Sequence, residues 1–312
     1  MNLQTQSSSA AVTGDLVVIQ RNSISGSGRR NRALLDLIRE LRQRQFEVRM
    51  FSDRNQLDVF TARESVTHRI RCMVAAGGDG TVTSLVNRHP ERVIAVLPMG
   101  TENLVARHLD MPCNGAVVAD VIKDGYTRVF DTAKIGSRCF LLMVSAGIDA
   151  QVVHRLNAQR SGNIRHWTYL RPVLQTFLSY GFPKIDVTDV RTGKTVTGTH
   201  VIVSNFREYG FNLKLNPDAD PADGQLDVCV FQKSSRVRLA IHAILSIFRT
   251  QKGSHLVRFR SPHVSLSASV ESGIVCPGRS VIPLQVDGDT GGQLPVDIQI
   301  KKSSMQLIVH RQ

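Results

Sequence analysis

The sequence predicts an α/β fold of two domains, in which an N-terminal Rossmann-like domain with a parallel sheet precedes a C-terminal antiparallel β-sandwich. Three observations predict this architecture. The chain has 312 residues, which is long for one domain and ample for two. Apolar strand patterns alternate with helical patterns as far as about residue 131, as in a parallel sheet with right-handed crossovers. Short β runs separated by turns follow, and these are typical of an antiparallel sandwich.

The first half contains four apolar strands with helices between them. Residues 1–14 are mainly small and polar and lack the basic and apolar regions of a secretion signal, so the sequence predicts a disordered tail. The strands are predicted at residues 15–19, 46–51, 70–76 and 93–97, with helices over about 32–44, after residue 81 and over 104–109.

The second half is mostly β. A helix over about 167–180 and an apolar helix at 239–248 interrupt it, and a last strand is predicted near 296–300. The other strands are predicted at 140–145, 184–190, 195–204, 226–231, 257–259, 264–268 and 283–286.

The most informative motif is GGDGT at residues 77–81, which we call the first glycine loop. It separates an apolar strand from a helical pattern, and its glycines let backbone N–H groups approach a ligand closely. With Thr81 as a helix cap and a helix N-terminus facing the loop, phosphate is the expected ligand. Asp79 would repel bare phosphate, so we expect it beside Mg²⁺ or a hydroxyl group. The alternative is a tight turn that binds nothing.

A second glycine loop, PMGTEN at residues 98–103, follows the next strand. Since the carboxyl ends of parallel strands form ligand crevices, the two loops together predict a nucleotide site. No lysine follows the first loop as a Walker A motif requires, and Thr83 stands where a dinucleotide-binding motif has its third glycine.

Composition limits the partners. The longest apolar runs are far shorter than the roughly 18 residues that span a bilayer, so we expect a soluble protein without a transmembrane segment. Five cysteines without a CxxC pair indicate a reduced, cytoplasmic setting. Nucleic acid is an improbable partner, because aromatic residues make up only 5% of the chain and no nucleic-acid-binding motif is present.

The basic charge is concentrated in one segment. The chain has a net charge of +13 and a pI near 10.1. Residues 233–260 carry seven lysines and arginines and no acid, around the apolar helix at 239–248. Such a segment is suited to an anionic membrane surface. The alternative is an ordinary helix that packs on the core.

Five motifs in order carry a family resemblance. They are GGDGT at 77–81, LPMGTEN at 97–103, SAGIDA at 145–150, Pro217 with DGQLD at 223–227, and DGD at 287–289. This order resembles that of the diacylglycerol kinase catalytic-domain family, which includes bacterial lipid kinases and the sphingosine and ceramide kinases. The first motif is shared with NAD kinases and phosphofructokinases, and the resemblance spans about residues 15–305.

The resemblance implies a function and a domain plan. It implies a nucleotide-binding domain at 15–132 to which the segment 296–312 returns, a lipid-substrate β-sandwich at 133–295, and an active site in the cleft between them. The implied reaction transfers the γ-phosphoryl group of ATP to a lipid hydroxyl group with Mg²⁺, from the cytoplasm at the inner membrane surface. A homodimer stays open, as does the identity of the acceptor lipid.

The resemblance also assigns residues. Asp287 would be the general base, and Asp289 would hold metal or water. Asp223 would bind a structural Mg²⁺ with its carboxylate, and Asp220 and Gln225 with their carbonyls. The nucleotide would contact Asn22, Ser52, Gly77, Gly78, Asp79, Gly80, Thr81, Val82, Thr83, Gly100, Thr101 and Asn103. From the residues alone, Asp287 is more simply explained by a hairpin turn, and an ordinary Asp-Gly turn explains Asp223 as well as a metal site does.

Two alternatives stay open, and the chain departs from the family pattern at several positions. Glu102 stands where relatives commonly have a small residue, Leu104 where they have an acid, and Asp289 where they have glutamate. One alternative is a kinase of soluble substrates similar to NAD kinases. The other is a regulatory protein that binds nucleotide or lipid without turnover.

Overall fold

The computed structural model describes residues 12–22, 29–158, 180–210, 215–232, 256–269 and 281–311. It divides into two compact units, Met1–Thr132 with Lys302–Gln312, and Ala133–Lys301. The tail as far as residue 11, the predicted helix at 239–248, and the helix predicted at 167–180 except for its last residue lie outside the described residues.

The first unit is built from alternating strands and helices. Its elements are β1 (Leu16–Arg21), α1 (Arg29–Gln43), β2 (Glu47–Phe51), α2 (Arg54–Thr61), α3 (Glu64–Thr67), β3 (Ile70–Gly77), α4 (Asp79–Arg88), β4 (Val93–Pro98), α5 (Leu104–His108), α6 (Gly115–Asp124) and the first part of β5 (Thr127–Ile135). The last part of β16 (Val296–Ile308) completes it.

Five strands of the first unit form a parallel sheet, and β5 pairs with β16 beside them. The order of the five is β2-β1-β3-β4-β16, and β1 lies parallel to both β2 and β3. β4 lies parallel to β3 on one side and to β16 on the other. The central strands β1 and β3 are almost wholly buried, which explains their uninterrupted apolar sequences. All their carboxyl ends point to one edge, where both glycine loops lie.

The second unit is antiparallel. Its elements are β6 (Arg138–Phe140), β7 (Met143–Ala146), α7 (Ile148–Ala158), β8 (Ile185–Asp189), β9 (Thr195–Gly198), β10 (His200–Ser204), β11 (Leu226–Phe231), β12 (Leu256–Ser261), β13 (His263–Ala268), β14 (Pro283–Val286), β15 (Asp289–Gln293) and the first part of β16. One sheet has the order β12-β11-β10-β7-β14-β15, and the other places β9, β8, β13 and β16 side by side.

The two sheets of this unit share one apolar core. Val144, Val201 and Leu284 from the first sheet belong to the same buried cluster as Val187 and Val264 from the second. The side chains that alternate with these core residues lie on the opposite face of the six-stranded sheet. The helix α7 packs against that face, over β14, β15 and β7. The predicted parallel domain followed by an antiparallel sandwich is therefore confirmed.

Two predicted strands are interrupted. The run at 195–204 is two strands, because the chain leaves β9 at Gly198 and Thr199 donates its N–H to the carbonyl of Phe231. The run at 140–145 breaks after β6 at Phe140, and β7 begins at Met143. There the N–H groups of residues 141 and 142 are bound by a carboxylate that lies about 145 positions later in the sequence.

β16 is longer than predicted and serves both units. It begins at Val296 and continues to Ile308. Residues 296–299 pair with β13 in the second unit, whereas Gln306 and Leu307 pair with β4 in the first. Among the described residues no helix is long and apolar enough to cross a bilayer.

The contact between α1 and α6 depends on one glycine. Asn114 caps α6 by accepting the N–H groups of Ala116 and Val117. The first residue of the helix, Gly115, lies against α1. A Cβ atom on Gly115 would overlap the carbonyl oxygen of Ala33 and the backbone nitrogen of Leu37. Because both are backbone atoms of a helix, neither can move aside cheaply.

We expect Gly115→Ala to destabilise the protein by about 1–3 kcal/mol, since overpacking forces α1 and α6 apart. Urea unfolding measures the change. Gly181→Ala is the matched control, because a Cβ atom there meets no atom of the described residues within 4 Å, and it should stay within about 0.5 kcal/mol of wild type. Equal stability of the two variants would contradict this view of the helix contact.

Candidate active site

The first glycine loop joins β3 directly to α4. β3 ends at Gly77, and Gly78 is the N-cap with an extended backbone. The predicted capping by Thr81 is wrong, because the helix begins at Asp79 and Thr81 lies within its first turn. The Thr81 side chain instead occupies the space that a Cβ atom on Gly77 would need. Thr81 Oγ1 is buried and has no hydrogen-bond partner within the described ranges.

The two glycine loops touch through their backbones. β3 and β4 are neighbours in register from Gly77 to Pro98, and the N–H of Met99 donates to the carbonyl of Gly77 at 2.8 Å. A Cβ atom on Gly100 would lie 2.5 Å from Cα of Gly78. A side chain does not fit at position 100, and a Cβ atom on Gly78 would lie 3.2 Å from Cα of Gly100, so the close contact of the two loops explains these two glycines.

Asn103 closes the second glycine loop. Its backbone is left-handed with φ 49°, and it is the N-cap of α5. Its Oδ1 accepts the N–H of Gly100 at 2.7 Å, and its Nδ2 donates to the carbonyl of Gly100 at 2.9 Å. The loop is thereby held in one conformation, and its own amides are arranged before any ligand arrives.

Asp79 connects the two loops. Its Oδ2 accepts the N–H of Leu104 and its Oδ1 the N–H of Val105, both at 2.9 Å. Burial raises the pKa of Asp79, while these two backbone hydrogen bonds act in the opposite direction. The sequence led us to expect this carboxylate beside Mg²⁺ or a hydroxyl group, and its positioning role at the start of α5 was missed. An acid inside a glycine turn was the only signal.

The other predicted nucleotide residues divide into three groups. Asn22 follows β1, donates its N–H to the carbonyl of Ala76 at 3.1 Å, and lies against Gly77. Gly80 faces open space, while Ser52 and Thr101 are exposed at the ends of β2 and β4. Val82 and Thr83, by contrast, are buried within α4. The structure thus brings Asn22 together with the loops, whereas Val82 and Thr83 pack inside the unit.

The departures in the second loop have local partners. Glu102 lies 3.8 Å from the guanidinium of Arg107, whose positive charge partly offsets the negative charge of the carboxylate next to the loop. Leu104 is buried, with 5% of its surface exposed. An acid at that position would therefore require a different environment from the one this chain provides.

In the second unit, Asp287 and Gly288 form the two-residue loop between β14 and β15. Both have left-handed backbones, with φ 50° and 85°. This is the pattern of a type I′ hairpin turn. The turn and the proposed catalytic role are compatible, because the turn fixes where the Asp287 side chain points. Asp289 begins β15 and is exposed.

The Asp287 carboxylate is bound by three backbone amides. Its Oδ2 accepts the N–H of Leu141 at 2.9 Å, and its Oδ1 accepts those of Leu142 and Met143 at 2.8 and 3.1 Å. These amides explain the gap between β6 and β7. The carboxylate is consequently held at a defined point on the sheet edge.

Asp149, from the motif at 145–150, lies in a polar cluster of its own. Its Oδ2 accepts the hydroxyl of Tyr209 at 2.8 Å, and its Oδ1 lies 3.6 Å from Nδ1 of His200. Burial, together with the nearby Asp149 charge, raises the pKa of Tyr209 well above its usual value. The tyrosine therefore stays protonated and acts as a hydrogen-bond donor.

At the turn predicted to bind metal, the guanidinium of an arginine lies close to the carboxylate. The N–H of Asp223 donates to the carbonyl of Asp220 at 3.3 Å, and Asp223 Oδ1 accepts the N–H of Gln225 at 2.9 Å. Asp223 Oδ2 lies 3.7 Å from the guanidinium of Arg260, which also binds Asp227. In the described part of the chain, no three metal-ligating side chains of His, Cys, Asp or Glu come together. A metal at this turn stays a prediction.

The class of protein defined by this fold is a kinase, with glycine loops on a parallel sheet followed by an antiparallel sandwich. Residues 16–135 match the model of the diacylglycerol kinase catalytic domain, and residues 142–309 match that of the YegS C-terminal NAD kinase beta sandwich-like domain. The chain belongs to the diacylglycerol kinase catalytic-domain family and is a lipid kinase.

Individual relatives agree with this assignment. The chain is 25% identical over 298 residues to a diacylglycerol kinase of Staphylococcus carnosus, with 92% of both chains covered. It is 27% identical over 254 residues to one of Mycobacterium tuberculosis, with 76% of both covered.

Solved structures share the fold. A diacylglycerol kinase from Bacillus anthracis superposes with a TM-score of 0.69 at 18% identity, covering 96% of this chain and 98% of that one. Yeast NADH kinase in complex with NADH superposes with a TM-score of 0.51 at 13% identity, covering 98% and 89%.

We expect Asp79→Asn to lower the free energy of unfolding by about 1–3 kcal/mol. An amide has one acceptor oxygen, so its NH₂ group would face one of the two N–H donors at the start of α5. Asp53→Asn is the matched control: Asp53 caps α2 by accepting the N–H of Gln56, and Asn caps helices equally well. Urea unfolding of both variants is the measurement, and similar losses would show that Asp79 has no special positioning role.

Proposed function

We propose that this lipid kinase transfers the γ-phosphoryl group of ATP to a hydroxyl group of diacylglycerol or a related lipid, with Mg²⁺. The observation that carries the proposal is the backbone contact between the two glycine loops. Such a contact leaves an array of amides at the carboxyl ends of adjacent parallel strands, where α/β proteins bind nucleotides.

Several features of the first unit support phosphate binding. The N-terminus of α4, a helix of 10 residues, opens on the first loop and favours negative charge. Gly80 leaves open space, and Thr81 holds a buried hydroxyl without a partner among the described residues. Asn103 and Asp79 arrange both loops in advance, so less conformational freedom is lost when the nucleotide binds.

Mg²⁺ would be held largely by the nucleotide. This ion prefers phosphate oxygens and water, with one or two protein carboxylates. Both Asp79 oxygens already accept backbone amides, so the exposed Asp289 is the carboxylate we assign to metal or water. The ion would neutralise charge on the transferred phosphoryl group.

Asp287 supports the acceptor side of the reaction. A kinase needs a carboxylate that accepts the proton of the attacking hydroxyl group at a fixed position. Three backbone amides and a two-residue turn hold Asp287 in place.

The lipid acceptor implies work at a membrane surface. Of the seven cations between residues 233 and 260, Arg258 donates to the carbonyl of Leu215, and Arg260 binds Asp227. The other five lie at 233–252, outside the described residues. We assign this basic segment to the anionic inner surface of the membrane, reached from the cytoplasm.

We expect Asp287→Asn to lower lipid phosphorylation at least 100-fold, because general-base catalysis contributes about 10²–10⁴. The assay incubates the protein with labelled ATP, Mg²⁺ and total membrane lipid and separates labelled lipid from labelled NAD. Asp186→Asn is the control, since Asp186 in β8 accepts the hydroxyl of Thr197 at 2.6 Å and should keep wild-type activity.

The variant also disturbs three hydrogen bonds, so ATP binding and thermal unfolding are measured beside turnover. Retained ATP binding and a folded protein, with transfer lost, support the assigned base. Labelled NAD instead of lipid would establish the soluble-substrate kinase. ATP binding by wild type without transfer to any acceptor would establish the regulatory protein. Full activity of Asp287→Asn would overturn the role of Asp287.

Binding of the full chain to vesicles tests the membrane surface. We expect it to sediment with vesicles that contain phosphatidylglycerol and not with neutral phosphatidylcholine, and 0.5 M salt should release it because charges are then screened. Reversing two charges, Arg236→Glu with Arg238→Glu, should weaken binding at least tenfold, since each cation contributes about 1 kcal/mol. Arg39→Glu with Arg42→Glu in α1 is the control. Equal binding to both vesicle types would rule out the assigned surface.

A further inference from the structure

Several buried side chains of the second unit carry a polar atom that has no hydrogen-bond partner within the described ranges, and two of these side chains lie on adjacent strands. These two are Ser145, which is 0% exposed, and Gln285, which is 6% exposed. The unpartnered atoms are the Ser145 hydroxyl oxygen and the Gln285 amide oxygen Oε1. A buried polar group without a partner destabilises a folded protein, so its presence calls for a reason.

The two side chains are direct neighbours. β7 and β14 are antiparallel, and Ser145 lies opposite Gln285 in their register. Opposite residues of such a pair present their side chains on the same face, with Cβ atoms about 5 Å apart. Val144 and Leu284, which alternate with them, point into the apolar core. Ser145 and Gln285 therefore share the face that α7 covers.

Ser145 and Gln285 lie two residues along their strands from the groups that form the Asp287 site. Asp287 follows Gln285 by two residues, so their Cα atoms are separated by about 7 Å. On the neighbouring strand, Met143 donates its N–H to the Asp287 carboxylate and precedes Ser145 by two residues. An acceptor whose hydroxyl group meets Asp287 would thus place its adjoining atoms beside Ser145 and Gln285.

The chemistry of the unpartnered atoms restricts the ligand. The Gln285 oxygen only accepts hydrogen bonds, whereas the Ser145 hydroxyl donates and accepts. A single hydroxyl group on the ligand satisfies both, because it donates to Gln285 and accepts from Ser145. An ester group contains no donor and would leave the Gln285 oxygen unpaired. The separation of Asp287 from Gln285 also fits a diol. Two hydroxyl groups joined by two or three carbons, each with a hydrogen bond of about 2.7 Å to the protein, span this distance.

We propose that Ser145 and Gln285 bind a second hydroxyl group of the acceptor lipid, so that the preferred acceptor carries a free hydroxyl group next to the one that is phosphorylated. Such an acceptor is an acylglycerol with two free hydroxyl groups. This inference rests on the proposed lipid phosphorylation and extends it by naming the acceptor class. Both side chains act as specificity-determining residues, and neither takes part in proton transfer.

The test compares three acceptors in mixed micelles: 1-oleoylglycerol, its 2-O-methyl ether and 1,2-dioleoylglycerol. The ether keeps the acceptor oxygen and removes only the donor. We expect wild type to have a kcat/KM at least tenfold higher for 1-oleoylglycerol than for either other lipid. A site built to bind a hydroxyl group discriminates strongly against analogues that lack it.

Ser145→Ala and Gln285→Met should each remove most of that preference, about tenfold, by lowering kcat/KM for 1-oleoylglycerol alone. Both variants should unfold at the same temperature as wild type or a few degrees higher, because each loses an unpaired buried polar atom. Ser261→Ala is the matched control. Ser261 is equally buried, but its hydroxyl donates to Asp189 at 2.6 Å, so the variant should be less stable and keep the acceptor preference.

The outcomes separate this inference from the proposed function. If wild type phosphorylates no lipid, both fail together. If wild type phosphorylates lipids but prefers 1,2-dioleoylglycerol, the proposed function stands and the inference is overturned. Unchanged preference in both variants would also overturn it.

Discussion

The interaction on which the candidate site depends is the pair of hydrogen bonds between the Asp79 carboxylate and the first amides of α5. Strand pairing and the hydrogen bond from Met99 to Gly77 bring the two loops together, and glycine at positions 78 and 100 permits their close contact. Asp79 adds a link to the start of α5, since a carboxylate at a helix N-terminus is favoured both by hydrogen bonding and by the helix dipole. The part of the second loop that leads into α5 is thereby fixed to the first loop.

Much of the fold could be predicted because it depends on local patterns. The strands at 226–231 and 283–286 have the predicted limits, since apolar runs bounded by turn residues define them. The break between β6 and β7 could not be predicted, because it is caused by Asp287, which lies far away in the sequence. Likewise, only the tertiary position of Phe231 explains why the chain turns between β9 and β10.

The same distinction applies to the site. The glycines of both loops could be identified because they follow directly after apolar strands, although the contact that explains Gly78 and Gly100 is made between two different loops. Asp79 and Asp287 could be identified only as candidate acids, since their hydrogen-bond partners are amides that the fold brings to them. Ser145 and Gln285 carried a weak signal, a polar residue inside an apolar strand, whose meaning depends on the pairing of β7 with β14. A sequence pattern therefore does not reveal the role of a residue whose partners are brought to it by the tertiary fold.

The division of β16 between the units determines the order in which they can be completed during synthesis. The first unit includes residues 302–312, which leave the ribosome only after the whole second unit has been made. Until then β4 lacks its neighbour on one side and presents an open parallel edge. The second unit needs no later residues than 301. Although the first unit starts earlier in the chain, the sandwich is the first to have all its strands.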